Sequence, residues 1–157
     1  MQKKGVAVKN IVICTNIDDE SFDSLGALNK YFKFEDLNVH LLHLWSIQSY
    51  SYQGDMIVPF YPNQAQSEEI TKKMEKALND QINAFKGIKK ENFHVAVKTS
   101  ESPKRESVEF LKENNADLVV SITPQKSAVG NFFHSSFTNY LAAHAHCDLL
   151  MIRQKKS

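Results

Sequence analysis

The chain has 157 residues, 42% of them hydrophobic, and a formal net charge of +1. That is enough for one compact α/β domain with a proper core, and too little charge to drive binding to nucleic acid or an anionic membrane by electrostatics alone. No apolar run approaches the roughly 20 residues that span a bilayer, and the basic start Met1-Gln2-Lys3-Lys4-Gly5 leads into an apolar run broken by Lys9 and Asn10, which makes a poor signal peptide. The implied compartment is the cytoplasm, where Cys14 and Cys147 are expected as buried, reduced thiols.

Val6 to Ile17 reads as the first strand, with Ile11-Val12-Ile13-Cys14 at its centre. Asp18 or Asp19 can cap the helix that follows. Its apolar stripe is Phe22, Leu25, Leu28 and Phe32, and Gly26 among them hints at close backbone packing. Val39 to Trp45 is the second strand. Ser46 to Gln66 is irregular, holding Tyr50, Tyr52, Phe60 and Tyr61, with Pro59 and Pro62 set against regular structure. A segment of this length is either an ordered flap over the core edge or a functional lid or partner surface.

Ser67 is a candidate N-cap for a helix from Glu68 to Phe85, whose Ile70, Met74, Leu78 and Ile82 recur at four-residue spacing. Phe93 to Lys98 is a third strand near a sheet edge, with Phe93, Val95 and Val97 on one face. Pro103 starts a helix reaching Asn115. The last quarter, Ala116 to Arg153, is a βαβ unit. Leu118-Val119-Val120 is a strand covered on both faces, a polar loop runs from Thr123 to about Gly130, and Phe137, Tyr140, Leu141 and His144 recur at helical spacing. Leu149-Leu150-Met151-Ile152 closes the unit. Strands alternating with helices require a five-stranded, mainly parallel sheet with helices on both faces: one Rossmann-like or flavodoxin-like domain spanning 1–157.

These residues, in this order and spacing, resemble the universal stress protein family. The tail Ser-Ser-Phe-Thr-Asn-Tyr-Leu-Ala-Ala-His-Ala-His-Cys-Asp-Leu-Leu-Met-Ile-Arg is similar to the family's gapless ending, and Asn115-Ala116-Asp117-Leu118-Val119-Val120 to its Ala-Asp-Leu-Ile-Val block. Ile11-Val12-Ile13-Cys14-Thr15 and Val39-His40-Leu41-Leu42-His43 are similar to its first two strands. Only the segment 46–66 stands outside the likeness.

The family's ATP-binding members carry Gly-x-x-Gly, nine residues, then Gly-Ser or Gly-Thr. Placed on this chain, the three glycines fall on Ile122, Gln125 and Ser135, and only the hydroxyl, Ser136, is retained. The family's strand-one aspartate falls on Asn16. A β-branched residue takes positive φ only at a cost, and a Cβ fills space that a phosphate would need. The resemblance therefore implies a homodimer through Leu149, Leu150, Met151 and Ile152. It acts without catalysis in stress adaptation or regulation, and has no cofactor bound in the family's usual manner.

Two alternatives stay open. One is a nucleotide sensor or weak ATPase using a crevice of Asn16, Thr123, Gln125, Ser127, Ser135 and Ser136, because helix N-termini and polar loops bind anions without a particular motif. The other is a scaffold whose segment 46–66 binds a partner protein. The histidines read as structural: His40 and His43 point to opposite faces of a strand, and His144 and His146 lack the carboxylates of a metal site.

Overall fold

The computed structural model describes residues 8–46, 49–53, 56–60, 62–123 and 132–154, giving the backbone alone for 46, 49–53, 56–60 and 132–135. Five strands make the main sheet: β1 (Asn10–Cys14), β2 (Asn38–Ser46), β5 (Phe93–Ser100), β6 (Leu118–Thr123) and β7 (Asp148–Arg153). Their order is β5-β2-β1-β6-β7, and every adjacent pair is parallel. The helices between them are α1 (Asp19–Leu25), α2 (Gln64–Asn79), α3 (Pro103–Glu113) and α4 (Phe132–His144).

The strand order explains the near-continuous apolar runs. β1 lies between β2 and β6, and Ile11, Val12 and Ile13 are all fully buried because helices cover both faces. On one face Ile11, Ile13, Val39, Leu41 and Val120 pack with Leu25, Leu28, Phe34, Leu78 and Phe85. On the other, Val12, Leu42 and Val119 pack with Val108, Phe110, Leu111 and Leu141 from α3 and α4. Removing any of the fully buried leucines down to alanine costs about 2–5 kcal/mol. The strand Phe93–Ser100 lies at one edge, with Phe93, Val95 and Val97 on the first face and Ala96 on the second, as its alternation indicates.

Several expectations are corrected. The first strand is shorter than Val6–Ile17: among the described residues it starts at Asn10, after Val8 and Lys9, and ends at Cys14. After Cys14 the chain turns, and Asp18, as N-cap, accepts from the Ser21 N–H at 2.7 Å to open α1. Gly26 faces open space where a side chain would project, so no close packing demands it; it marks the passage from α1 into a 3-10 turn, Gly26–Lys30.

The second helix begins earlier than Glu68. Asn63, not Ser67, is its cap: the Asn63 side-chain Oδ1 accepts from Gln66 N–H at 2.8 Å, and the Gln66 side-chain Oε1 accepts from Asn63 N–H at 3.0 Å. This reciprocal box satisfies two of the free donors at a helix start. The segment 46–66 is not irregular throughout. β3 (Ser49–Gln53) and β4 (Met56–Phe60) pair antiparallel, and Pro59 stands opposite Tyr50 in a two-stranded ribbon, where edge positions tolerate a residue without N–H.

Candidate functional site

The strand order reverses between β1 and β6, so the chain leaves the carboxyl ends of these two strands toward opposite edges of the sheet. Open α/β sheets bind ligands at such a switch point. A cavity of about 540 Å³ occupies it. The end of β1 supplies Cys14, Thr15 and Asn16; β2 supplies Leu42, His43 and Leu44; β6 supplies Ser121 and Ile122. Glu101 and Ser102 lead into α3, whose first residues Pro103 and Lys104 continue the wall, and Phe137 of α4 completes it.

The floor is fixed by backbone bonding. Thr15 N–H donates to the Leu42 carbonyl at 3.0 Å, extending the strand pairing one residue past β1. His43 Nδ1 lies 2.9 Å from the Thr15 carbonyl. A carbonyl only accepts, so Nδ1 carries the proton and Nε2 is left as an acceptor. Burial lowers the His43 pKa below the ordinary imidazole value; the Thr15 bond and the negative charge of Asp18 oppose the shift. Behind the wall, Ser121 Oγ and Thr138 Oγ1 meet at 2.8 Å, both residues buried. Cys14 beside them is pushed up to about 12, chiefly by burial and then by the Cys147 thiol, so it is an inert thiol at neutral pH. Both cysteines are free.

Lys104 is the cation of the cavity wall. It is half-buried, and its ammonium donates to Ser136 Oγ of α4. The described ion pairs are Lys73–Glu69, Lys76–Asp80 and Arg105–Glu109, all on exposed helix surfaces, so Lys104 has no carboxylate partner among the described residues.

The predicted crevice residues are divided by this geometry. Asn16 lines the cavity, and Ser136 reaches it through Lys104. Thr123 is drawn away: it is the last residue of β6, its hydroxyl donates to the Ile152 carbonyl at 3.3 Å, and its own carbonyl accepts from Gln154 N–H at 2.7 Å. Gln125 and Ser127 lie outside the described residues, as does the side chain of Ser135. Because α4 begins at Phe132, Ser136 is inside the helix rather than at its opening.

Sequence reasoning missed Lys104, His43, Thr15 and Ser121. The usable signal was position, since each lies in the carboxyl half of a strand, just past the end of one, or directly after the proline that starts α3. Among the described residues no three His, Cys, Asp or Glu side chains converge as metal ligands. His40 instead stacks on His94 at 4.8 Å between ring centres. No described helix is long and apolar enough to cross a membrane.

A sequence model described as "Universal stress protein family" matches residues 7–153. The chain belongs to the universal stress protein family. Solved structures of the family share its fold at low identity. A universal stress protein in complex with cAMP is 16% identical, with a TM-score of 0.62 over 96% of this chain and 100% of its own. UspA from Lactobacillus plantarum is 14% identical, with a TM-score of 0.62 over 95% of this chain and all of that one. A family protein from Burkholderia pseudomallei is also 14% identical, with a TM-score of 0.62 over 95% of this chain and 98% of its own. No curated protein matches the chain by sequence.

As a universal stress protein the chain departs from the ATP-binding pattern at a place the fold makes specific. Ile122, where the first glycine of that pattern falls, continues β6 in register with Ile152 and is only 6% exposed. Its side chain belongs to the core on the α1–α2 side of the sheet.

Proposed function

We propose that this universal stress protein is a non-catalytic factor of stress adaptation or regulation. It works as a homodimer in the cytoplasm and does not hold ATP through the family's glycine motif. The observation that supports this most is Ile122. A polyphosphate in the usual place needs backbone free of side chain, whereas here an isoleucine pairs in the sheet and packs in the core.

The test is thermal unfolding of nucleotide-free protein with and without millimolar ATP-Mg²⁺. A ligand at a hundred times its Kd adds about 2.7 kcal/mol, which raises the melting temperature by several degrees in a chain of this size. The expected result is no rise. A clear rise that Ser136→Ala removes would overturn the reading.

A second reading, a nucleotide sensor using the same crevice, draws support from the cavity itself. Its volume of about 540 Å³ suits a small molecule, Asn16 and Lys104 line it, and a structural neighbour was solved in complex with cAMP. Protection against unfolding by AMP or cAMP, with none from ATP-Mg²⁺, would favour this sensor.

A further inference from the structure

We propose, resting on the reading that this crevice lacks a polyphosphate cradle, that the cavity binds a small molecule with one anionic group, a carboxylate or a phosphodiester, seated on the Lys104 ammonium. Three observations carry it. Lys104 is half-buried in the cavity wall with a hydroxyl, Ser136, as its partner and, among the described residues, no carboxylate within ion-pair distance. An anion entering the cavity would give this partly buried ammonium a counter-charge and a charge-assisted hydrogen bond. The Ser136 hydroxyl fixes where the ammonium sits, so the cation is already in place when the anion arrives.

Charge limits the ligand. Glu101 lines the same cavity, so among the described residues the wall brings one cation against one carboxylate, and a multiply charged anion meets repulsion once Lys104 is matched. His43 adds no positive charge at neutral pH, because its burial favours the neutral ring. Shape limits it further. Leu42, Leu44, Pro103 and Phe137 add apolar surface to the same wall, and Thr15 and Asn16 add polar groups at the end of β1. The fitting molecule has an apolar or aromatic body, one anionic group at the α3 end, and a hydrogen-bonding edge toward β1.

The experiment is calorimetric titration of the full chain with two matched pairs of probes. Naphthalene-1-carboxylate against naphthalene-1-carboxamide tests the carboxylate, and cAMP against adenosine tests the phosphodiester. In at least one pair the anionic member binds about tenfold more tightly, the size of one charge-assisted hydrogen bond of about 1.5 kcal/mol. The pair that discriminates identifies the anion. The preference disappears in Lys104→Met, with binding of the neutral member retained as proof that the cavity is intact, and returns in Lys104→Arg. Equal binding within both pairs, no binding of any probe up to millimolar, or a preference that survives Lys104→Met overturns the proposal. None of these outcomes depends on ATP-Mg²⁺, whose stabilising effect alone decides the reading beneath it.

Discussion

Ser121 and Thr138 meet hydroxyl to hydroxyl at 2.8 Å, one in β6 and the other in α4, and both are buried. The pair holds the last helix against the strand whose end forms the cavity wall. Both residues are withdrawn from bulk water, although Ser121 also borders the cavity. Thr138→Val keeps the shape but strands the Ser121 hydroxyl, and should cost about 1–3 kcal/mol in urea unfolding. Adding Ser121→Ala removes the stranded group, so the double variant should be more stable than the sum of the two singles indicates. Strict additivity would show that the two hydroxyls do not depend on one another.

Asp117 ties the opposite end of the sheet. Its Oδ2 accepts from Asn10 N–H and Lys9 N–H, each at 2.9 Å, joining the start of β6 to the start of β1. These two bonds, Asn10 first and Lys9 second, hold its carboxyl below the ordinary value. A carboxyl that is more acidic in the folded chain stabilises fully above its unfolded pKa of about 3.9. That stabilisation is lost as the pH falls through the lower folded value. Asp117→Asn should therefore lower stability at pH 7 and flatten the acid limb below about pH 4 in chemical denaturation curves. A parallel downward displacement at every pH would contradict the assignment.

His40 and His43 set a second, higher window. Burial lowers both; His94 adds to the effect at His40, while the Thr15 carbonyl and Asp18 oppose it at His43. The folded chain takes up these protons less readily than the unfolded one. Their contribution is complete above about pH 6.5 and declines as the pH falls below it. His43→Gln should make stability less dependent on pH between about 7 and 5, a range in which Asp117 does not titrate. An unchanged slope there would count against a buried neutral ring.

Gly26 sits in helical backbone, φ −60 and ψ −24, with open space where a Cβ would project. Neither positive φ nor close approach needs the glycine. Gly26→Ala should raise stability by about 0.5–1 kcal/mol by reducing the freedom of the unfolded chain. A loss in thermal unfolding would mean that the turn after α1 needs that freedom.

The sheet was legible because its strands are buried on both sides. Ile11 to Cys14, Val39 to Leu44 and Leu118 to Val120 leave no reading but parallel strands once helices alternate with them. The start of α2 was misread because Ser67, a good cap by type, competes with Asn63, whose partner Gln66 lies three residues on. Pro59 misled in the opposite direction, since a proline excludes only those strand positions where an N–H must be donated. At the site, Asn16 and Ser136 were found through the family's motif. Lys104 was not, because a lysine one residue after a helix-starting proline looks like any solvated helix residue until the fold brings it to Ser136, 32 positions away.

β7 pairs with β6 and with no other described strand, so it forms the second edge of the sheet. Its side chains are not equivalent. Ile152 is only 8% exposed and belongs to the protomer's own core, and Leu149 and Leu150 pack against the two clusters. Met151 is 50% exposed. An apolar edge open to solvent invites pairing with another strand, and two copies related by a two-fold axis would pair the two edges and cover both Met151 side chains. Sedimentation at micromolar concentration should give twice the protomer mass, and melting should rise with protein concentration. Met151→Lys places like charges together at the axis and should yield monomers, while the protomer fold is kept because half of that side chain is already in water. Wild-type protein that sediments as a monomer would rule out this interface. A Met151→Lys protein that remains dimeric would move the contact away from β7.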